Sequence, residues 1–266
     1  MYDRDATETS KGALVELCRA LRQYKNDVVL AGGWAPYFLT RGYFDHCGSI
    51  DIDFVLRPTI VERYENIKQI LERLGYAPAG SVFRFKRNVV SSSSGIAYKI
   101  EVDFLTEPEG AKRLSSEWLA SVQADLKACI IEGCGIVLGQ NFEVELKAAM
   151  PSNGIASAKL YCANIVASLT MKGLALHRMK DKDSYDIYSV AGFYGTGPKQ
   201  ASEAFMAALR EKRAEETTID AITELKEGFA SPTSQGPSAV ARFIGSENAR
   251  TDAYQRVTLF LKGIST

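Results

Sequence analysis

Histidine is scarce in this chain of 266 residues, which contains only His46 and His177. The five cysteines are odd in number and widely scattered, and none of them forms a CxxC pair. Structural zinc sites draw their ligands from closely spaced cysteines and histidines. The scarcity therefore argues against zinc and predicts reduced, buried cysteines of the kind found in cytoplasmic proteins.

Long apolar runs are also missing. No stretch approaches the roughly 20 apolar residues that a membrane span requires, and the polar, acidic N-terminus does not resemble a signal peptide. We therefore expect a cytoplasmic protein. Net charge is missing too, because 32 Lys and Arg balance 32 Asp and Glu. This balance argues against coating of nucleic acid by bulk electrostatics, but it allows a local basic groove.

Apolar periodicity divides the chain into a mixed first part and a helical second part. Hydrophobic residues make up 46% of the chain, enough to bury a sizeable core. Short alternating segments predict strands before about residue 160, and periodicity of 3.6 residues predicts helices after Asn164. We predict an α/β (α+β) fold, with a mixed sheet and flanking helices in residues 1–163 and a helical domain in residues 164–266.

Local signals predict the elements near the residues of interest. In chain order they are a helix capped by Thr9 or Ser10, a strand at 28–31, a helix at 34–39, a strand at 50–56, a helix capped by Thr59 and ended by Gly75, strands at 82–90 and 96–105, and helices at 165–179 and 183–191. The Ser/Pro/Gly-rich stretch 231–238 is predicted to be a loop.

Two acids, Asp51 and Asp53, lie on the predicted strand 50–56 among apolar residues. Positions i and i+2 of a strand point to the same face, so the two carboxylates repel each other unless a cation lies between them. Oxygen ligands suit Mg²⁺ or Mn²⁺. The alternative is a solvent-facing edge strand that simply carries two acids.

Glu101 and Asp103 repeat this pattern on the predicted strand 96–105. A third carboxylate beside Asp51 and Asp53 would complete a site for two metal ions of the kind used in phosphoryl transfer. Asp103 is our candidate because it lies deeper in the apolar run. Glu101 can instead pair with a neighbouring Lys or Arg.

The pair Gly32-Gly33 follows one predicted strand and precedes a predicted helix. Glycines at such a position let backbone amides approach a phosphate closely, although many glycine pairs only form a turn. The order of these motifs resembles that of the DNA polymerase β-like nucleotidyltransferase superfamily. In both, a strand, two glycines and a helix are followed by Asp-x-Asp on a second strand and by a third acid on a later strand. The resemblance implies a nucleotidyltransferase fold in which Gly32 and Gly33 hold the triphosphate. It also implies that Asp51, Asp53 and Asp103 bind two Mg²⁺ ions. Gly33 departs from the serine that many members carry.

A second charged segment, residues 171–188, reads MKGLALHRMKDKDSYDIY. Lys172 and Arg178 lie one to two turns apart on the predicted helix, where cations neutralise charge on a phosphate. Asp183 and Asp186 share a face by their i, i+3 spacing, and one of them either orients Lys172 or activates an acceptor hydroxyl. A solvated, charge-laced helix face is the alternative.

This segment resembles the C-terminal motif of AbiEii-type toxins, and the sequence AGGWA at residues 31–35 resembles their N-terminal motif. Together the two motifs extend the resemblance over about residues 28–190. The resemblance implies catalytic roles for Lys172 and Asp186, and nucleotide contacts from Lys172 and Arg178. The participation of Glu101, Arg178 and Asp183 stays open.

AbiEii-type toxins are nucleotidyltransferases of bacterial toxin–antitoxin systems, associated with phage defence. The resemblance implies transfer of a nucleoside monophosphate from an NTP to an acceptor, with release of pyrophosphate. It further implies RNA as the acceptor, at the tRNA 3′ end, or a protein hydroxyl, and a cognate antitoxin as partner. The alternatives are an antibiotic nucleotidyltransferase and an inactive binding protein with the same fold.

Three further cations, Arg84, Lys86 and Arg87, alternate with Phe83 and Phe85. They either line an RNA path, with basic groups on phosphates, or belong to an ordinary exposed strand whose aromatic residues are buried.

Overall fold

The computed structural model describes residues 3–63, 65–108, 118–152, 154–209 and 212–264. Within these ranges the chain forms one mixed sheet of nine strands. The strands are β1 Val28–Leu30, β2 Ile52–Leu56, β3 Ala77–Ala79, β4 Ser81–Val90, β5 Ala97–Thr106, β6 Leu119–Gln123, β7 Leu126–Ile130, β8 Asn141–Ala149 and β9 Ile155–Ala163.

Nine α-helices accompany the sheet over the same ranges. They are α1 Arg4–Ala20, α2 Trp34–Thr40, α3 Ile67–Arg73, α4 Ile165–Leu174, α5 Asp181–Phe193, α6 Pro198–Ala208, α7 Lys212–Gly228, α8 Gln235–Ile244 and α9 Asn248–Ile264. The α/β prediction is confirmed, with a mixed sheet first and helices after residue 164. None of the described helices combines the length and the apolar character that crossing a membrane requires.

The sheet follows the strand order β3-β4-β5-β2-β1-β9-β8, and β7 pairs with both β5 and β6. β2 runs parallel to β5 and antiparallel to β1, so two acid-bearing strands are direct neighbours. Phe54 stacks on Phe104 with ring centroids 6.3 Å apart, and Phe85 meets Phe104 edge-on at 5.9 Å. These aromatic residues bury one face of the sheet, so the alternate positions on the same strands point to the other face.

Several predicted boundaries were wrong, and side-chain hydrogen bonding explains two of them. α1 begins at Arg4 because Asp3 accepts the hydrogen bond of Asp5 N. Ser10, predicted as a cap, instead donates to a carbonyl oxygen forty residues away, that of Ile50. α3 begins at Ile67 rather than after Thr59, because Asn66 and Gln69 form a capping box there.

Two further boundaries differ in the helical part. The stretch 231–238 is only partly a loop, since α8 begins at Gln235. Pro237 fits the first turn of α8, where a missing N–H costs little. The predicted helix 165–179 ends at Leu174, and a short 3-10 turn, Leu176–Arg178, follows it.

Contacts divide the chain into two compact units. Among the described residues, the first contains residues 3–34 and 47–163, and thus the whole sheet with α1 and α3. The second contains residues 35–46 and 164–264, and thus α4 to α9. In the second unit α5 packs against α4, α6, α8 and α9. The assignment of residues 1–163 to catalysis and of 164–266 to a helical domain stays a prediction.

Candidate functional site

Three charged residues lie side by side on adjacent strands of the sheet. Asp53 of β2 is the register partner of Asp103 of β5, which is in turn the register partner of Arg84 of β4. The pairing of β2 with β5 thus brings together two acids that are fifty residues apart in the sequence. Neither is fully buried, because both lie on the face opposite the aromatic core.

Gly32 lies against Asp53 so closely that the position excludes a side chain. Its φ is +60°, and a Cβ atom placed on it would lie 1.8 Å from Asp53 Oδ2. The neighbouring Ala31 N–H donates to the carbonyl oxygen of Asp53 at 2.9 Å. Gly33 is buried directly before α2. The local backbone therefore requires glycine at position 32, whatever binds there.

Asp51 lies just before β2 rather than within it, and it is exposed. Two hydroxyls of α1 fix the segment that leads to it. Thr7 donates to the carbonyl oxygen of Cys47 at 2.9 Å, and Ser10 donates to that of Ile50 at 2.8 Å. These two hydrogen bonds attach the segment before Asp51 to α1.

Arg84 occupies both carboxylate oxygens of Asp103. Its Nε lies 2.7 Å from Oδ1 and its Nη2 lies 2.5 Å from Oδ2, a bidentate pair. Its third nitrogen, Nη1, lies 3.2 Å from Glu101 Oε2. Glu101 also pairs with Lys99 at 2.6 Å, which lowers the pKa of Glu101. Glu101 thus pairs with neighbouring cations, as the sequence allowed.

The neighbouring cations of β4 have different environments. Arg87 pairs with Glu16 of α1 at 2.5 Å, while Lys86 is exposed. Phe85 is buried and Phe83 packs edge-on against Trp118. Arg84 and Arg87 are thus both engaged with carboxylates of the chain itself, which favours the interpretation of β4 as a structural strand.

A second group of charges lies on α4, α5 and the turn between them, and we call it the α4–α5 cluster. Its members are Lys172, Arg178, Lys182, Asp183 and Asp186. Lys172 Nζ lies 2.6 Å from Asp183 Oδ1 and 2.8 Å from Asp186 Oδ2. Arg178 reaches the other oxygen of Asp183 at 2.9 Å, and Lys182 contacts Asp186. Three cations face two carboxylates, so the cluster has one positive charge in excess.

Burial sets the ionisation of this cluster. The Asp186 side chain has no exposed surface, and that of Lys172 is only 12% exposed. Burial alone would raise the pKa of Asp186, but Lys172, Lys182 and His46 outweigh it and hold that pKa well below its usual range. Burial alone would lower the pKa of Lys172, but Asp186 and Asp183 outweigh it and raise that pKa. Both groups are therefore charged at neutral pH.

His46 completes the surroundings of Asp186. Its Nε2 lies 3.0 Å from Asp186 Oδ1, and its side chain is completely buried. Burial lowers the pKa of His46 to about 4, although the hydrogen bond with Asp186 opposes this shift. The ring is therefore neutral at pH 7, and its Nε2 must carry the proton because an ionised carboxylate only accepts.

The structure brings together two separate sets of the predicted site residues. Gly32, Asp53 and Asp103 adjoin one another on the sheet, and Lys172, Arg178, Asp183 and Asp186 adjoin one another in the helical unit. Sequence reasoning did not predict the pairing of Arg84 with Asp103 or that of His46 with Asp186. Strand register and long-range packing create both contacts, and no local pattern signals them. In the described ranges no three His, Cys, Asp or Glu side chains are already arranged to hold a metal ion.

Comparison with known proteins gives one family. No curated protein and no solved structure matches the chain. The family model described as nucleotidyl transferase AbiEii toxin, Type IV TA system, matches residues 16–246, which include every residue of both sets. The resemblance expected from the two segments is thereby confirmed. The chain belongs to the AbiEii family of nucleotidyltransferase toxins.

Proposed function

We propose that this chain transfers a nucleoside monophosphate from an NTP to RNA, at the 3′ end of tRNA, in a reaction that depends on divalent metal. The observation that carries the proposal is the register of Asp53 with Asp103 beside a glycine that excludes any side chain. Membership of a family of nucleotidyltransferase toxins supports this class of reaction. The aligned carboxylates support the metal dependence.

The donor set fits Mg²⁺, or Mn²⁺ in its place, because it consists of carboxylate oxygens only. We assign Asp51, Asp53 and Asp103 as the residues that would hold two such ions, although Asp103 is paired with Arg84 in this structure. When bound, the ions would activate the attacking hydroxyl and stabilise the leaving pyrophosphate. Before binding, the chain itself keeps Asp53 and Asp103 aligned through strand pairing.

The nucleotide phosphates are assigned to Gly32, Gly33, Lys172 and Arg178. Gly32 and Gly33 offer backbone N–H groups without a side chain in the way. Together with Lys182, Lys172 and Arg178 give the α4–α5 cluster one more positive charge than its two carboxylates balance. Asp186 serves as a positioning residue for Lys172, because it contacts Lys172 and has no exposed surface with which to meet a substrate.

The biological setting follows from the family. A toxin of a toxin–antitoxin system requires a cognate antitoxin, so we propose that an antitoxin limits this activity in the cytoplasm, where tRNA and NTP are present. We also propose a role in phage defence. Expression of the chain alone should arrest growth, whereas an antibiotic-modifying enzyme should leave growth unchanged.

The test is incubation of the purified chain with Mg²⁺ and each α-³²P-labelled NTP, together with total bacterial RNA and a protein extract. We expect label in RNA of tRNA size, retained by Asp125→Asn at an exposed acid and lost with Asp53→Ala. Label in a protein band would show that the acceptor is a protein hydroxyl and not RNA. If no NTP gives label, transfer to RNA is excluded, and aminoglycosides become the next acceptors to test.

A further inference from the structure

The pairing of Arg84 with Asp103 affects how the sheet acids can receive metal. All three nitrogens of the guanidinium group lie near acids, Nε and Nη2 beside Asp103 and Nη1 beside Glu101. Arg84 is the register partner of Asp103, so the pairing of β4 with β5 brings the two residues together directly. The strand register therefore places Arg84 beside Asp103.

A guanidinium group and a divalent ion make conflicting demands on the same carboxylate. Arg84 uses both oxygens of Asp103 in the forked geometry that arginine prefers. A metal ion on those oxygens would lie within a few ångströms of a like charge and would be repelled. Asp103 is only 13% exposed, so water screens this repulsion weakly.

We propose that Arg84 competes with a metal ion for the carboxylate of Asp103. Arg84 thereby lowers the affinity of the weaker of the two proposed metal sites. This inference rests on the proposed assignment of metal to the sheet acids. It identifies Arg84 as a residue that determines metal occupancy, in addition to the three acids. Lys99 has no such role, because it contacts Glu101 and not Asp103.

The experiment is a titration of the full chain with Mn²⁺ alone, with free Mn²⁺ followed by electron paramagnetic resonance. Arg84→Met removes the charge and should tighten the weaker Mn²⁺ site roughly tenfold, the size expected for loss of one charge-assisted hydrogen-bonded pair. Arg84→Lys keeps a charge but loses the fork, and should give an intermediate affinity. Lys99→Met is the matched control, since it removes a cation from the same strand pair without freeing Asp103.

The double variant Arg84→Met/Asp103→Asn separates a local effect from a general change of charge. We expect it to lose the gain seen in Arg84→Met. An equal gain in Lys99→Met would overturn the inference, and so would unchanged affinity in Arg84→Met together with Arg84→Lys. If neither the natural chain nor any variant binds Mn²⁺, the proposed metal dependence fails as well. A circular dichroism melt tests whether each variant is folded. If Arg84→Met does not fold, the Mn²⁺ affinity of Arg84→Lys is compared with that of the natural chain instead.

Discussion

The charged residues on the sheet differ from those of the α4–α5 cluster in both charge balance and burial. On the neighbouring strands β2 and β5, three acids, Asp53, Glu101 and Asp103, lie beside one another, and Arg84 and Lys99 contact two of them. In the cluster the balance is reversed, with three cations for two carboxylates. Asp51 is exposed, whereas Asp186 is completely buried.

This difference indicates that the two sets of residues bind different kinds of ligand. An excess of carboxylates with access to solvent suits the binding of a cation. An excess of cations that are already held in place by carboxylates suits the binding of an anion such as a phosphate, with little reorganisation. The buried pairs also contribute to folding, because a charge left without its partner in the interior is costly. Substitutions should therefore separate loss of activity from loss of stability.

The largest effect is expected at Asp53. Asp53→Ala should lower metal-dependent transfer by a factor on the order of a thousand or more, since it removes a proposed metal ligand, while the fold stays intact. Asp51→Ala should behave in the same way. Rates of labelled NMP transfer and a thermal melt provide the measurements. Full activity of the Asp51→Ala/Asp53→Ala double variant would remove both residues from the site.

At Lys172 we expect a loss of stability in addition to the loss of activity. Lys172→Met leaves two buried carboxylates with fewer partners, and should lower the free energy of unfolding by about 3 kcal/mol. Lys159→Met is the matched control, because Lys159 is an exposed partner of Glu143 and should change stability by less than about 1 kcal/mol. Urea denaturation compares the two variants. Equal losses would mean that the buried pairs of Lys172 contribute no more than a surface pair.

The pH dependence of stability should identify His46. Between its unfolded pKa of 6.5 and its folded pKa of about 4, the unfolded chain binds a proton that the folded chain does not. Stability should therefore fall as pH decreases from 6.5 to 4, by at most about 3 kcal/mol from this group. His46→Asn should flatten this slope in urea denaturation at several pH values.

The matched control for His46 is His177→Asn, because His177 is the second histidine of the chain and is exposed. It should leave the slope as it is. A slope that survives in His46→Asn would show that other groups cause the loss of stability in this pH range.

The smallest effect is expected at Arg178, whose side chain is 47% exposed. Arg178→Ala should change the free energy of unfolding by less than about 1 kcal/mol, as is usual for an exposed ion pair. If Arg178 contacts the nucleotide, the KM for NTP should rise up to about fivefold while kcat changes little. An unchanged KM would remove Arg178 from the nucleotide site and leave it only as a partner of Asp183.

Local patterns predicted much of the fold and many residues of the candidate site. Alternation marked the buried positions of β2 and β5, and it placed Asp53 and Asp103 on one face of each strand. Helical spacing placed Asp183 and Asp186 on one face of α5. The start of α1 was wrong because Ser10 bonds to the distant Ile50 instead of capping the helix, and the start of α3 was wrong because a local capping box at Asn66 begins that helix later. The roles assigned to the site residues stay predictions.

By itself, the sequence determined the class of fold, the family and which residue types recur at strand and helix spacing, because these depend on neighbours along the chain. Only the tertiary structure decided that Arg84 pairs with Asp103 and that His46 supports Asp186. The first contact depends on the register of β4 with β5, and the second joins residues 140 positions apart. Such contacts depend on how whole elements pack, and the distance between two residues along the chain does not specify that packing.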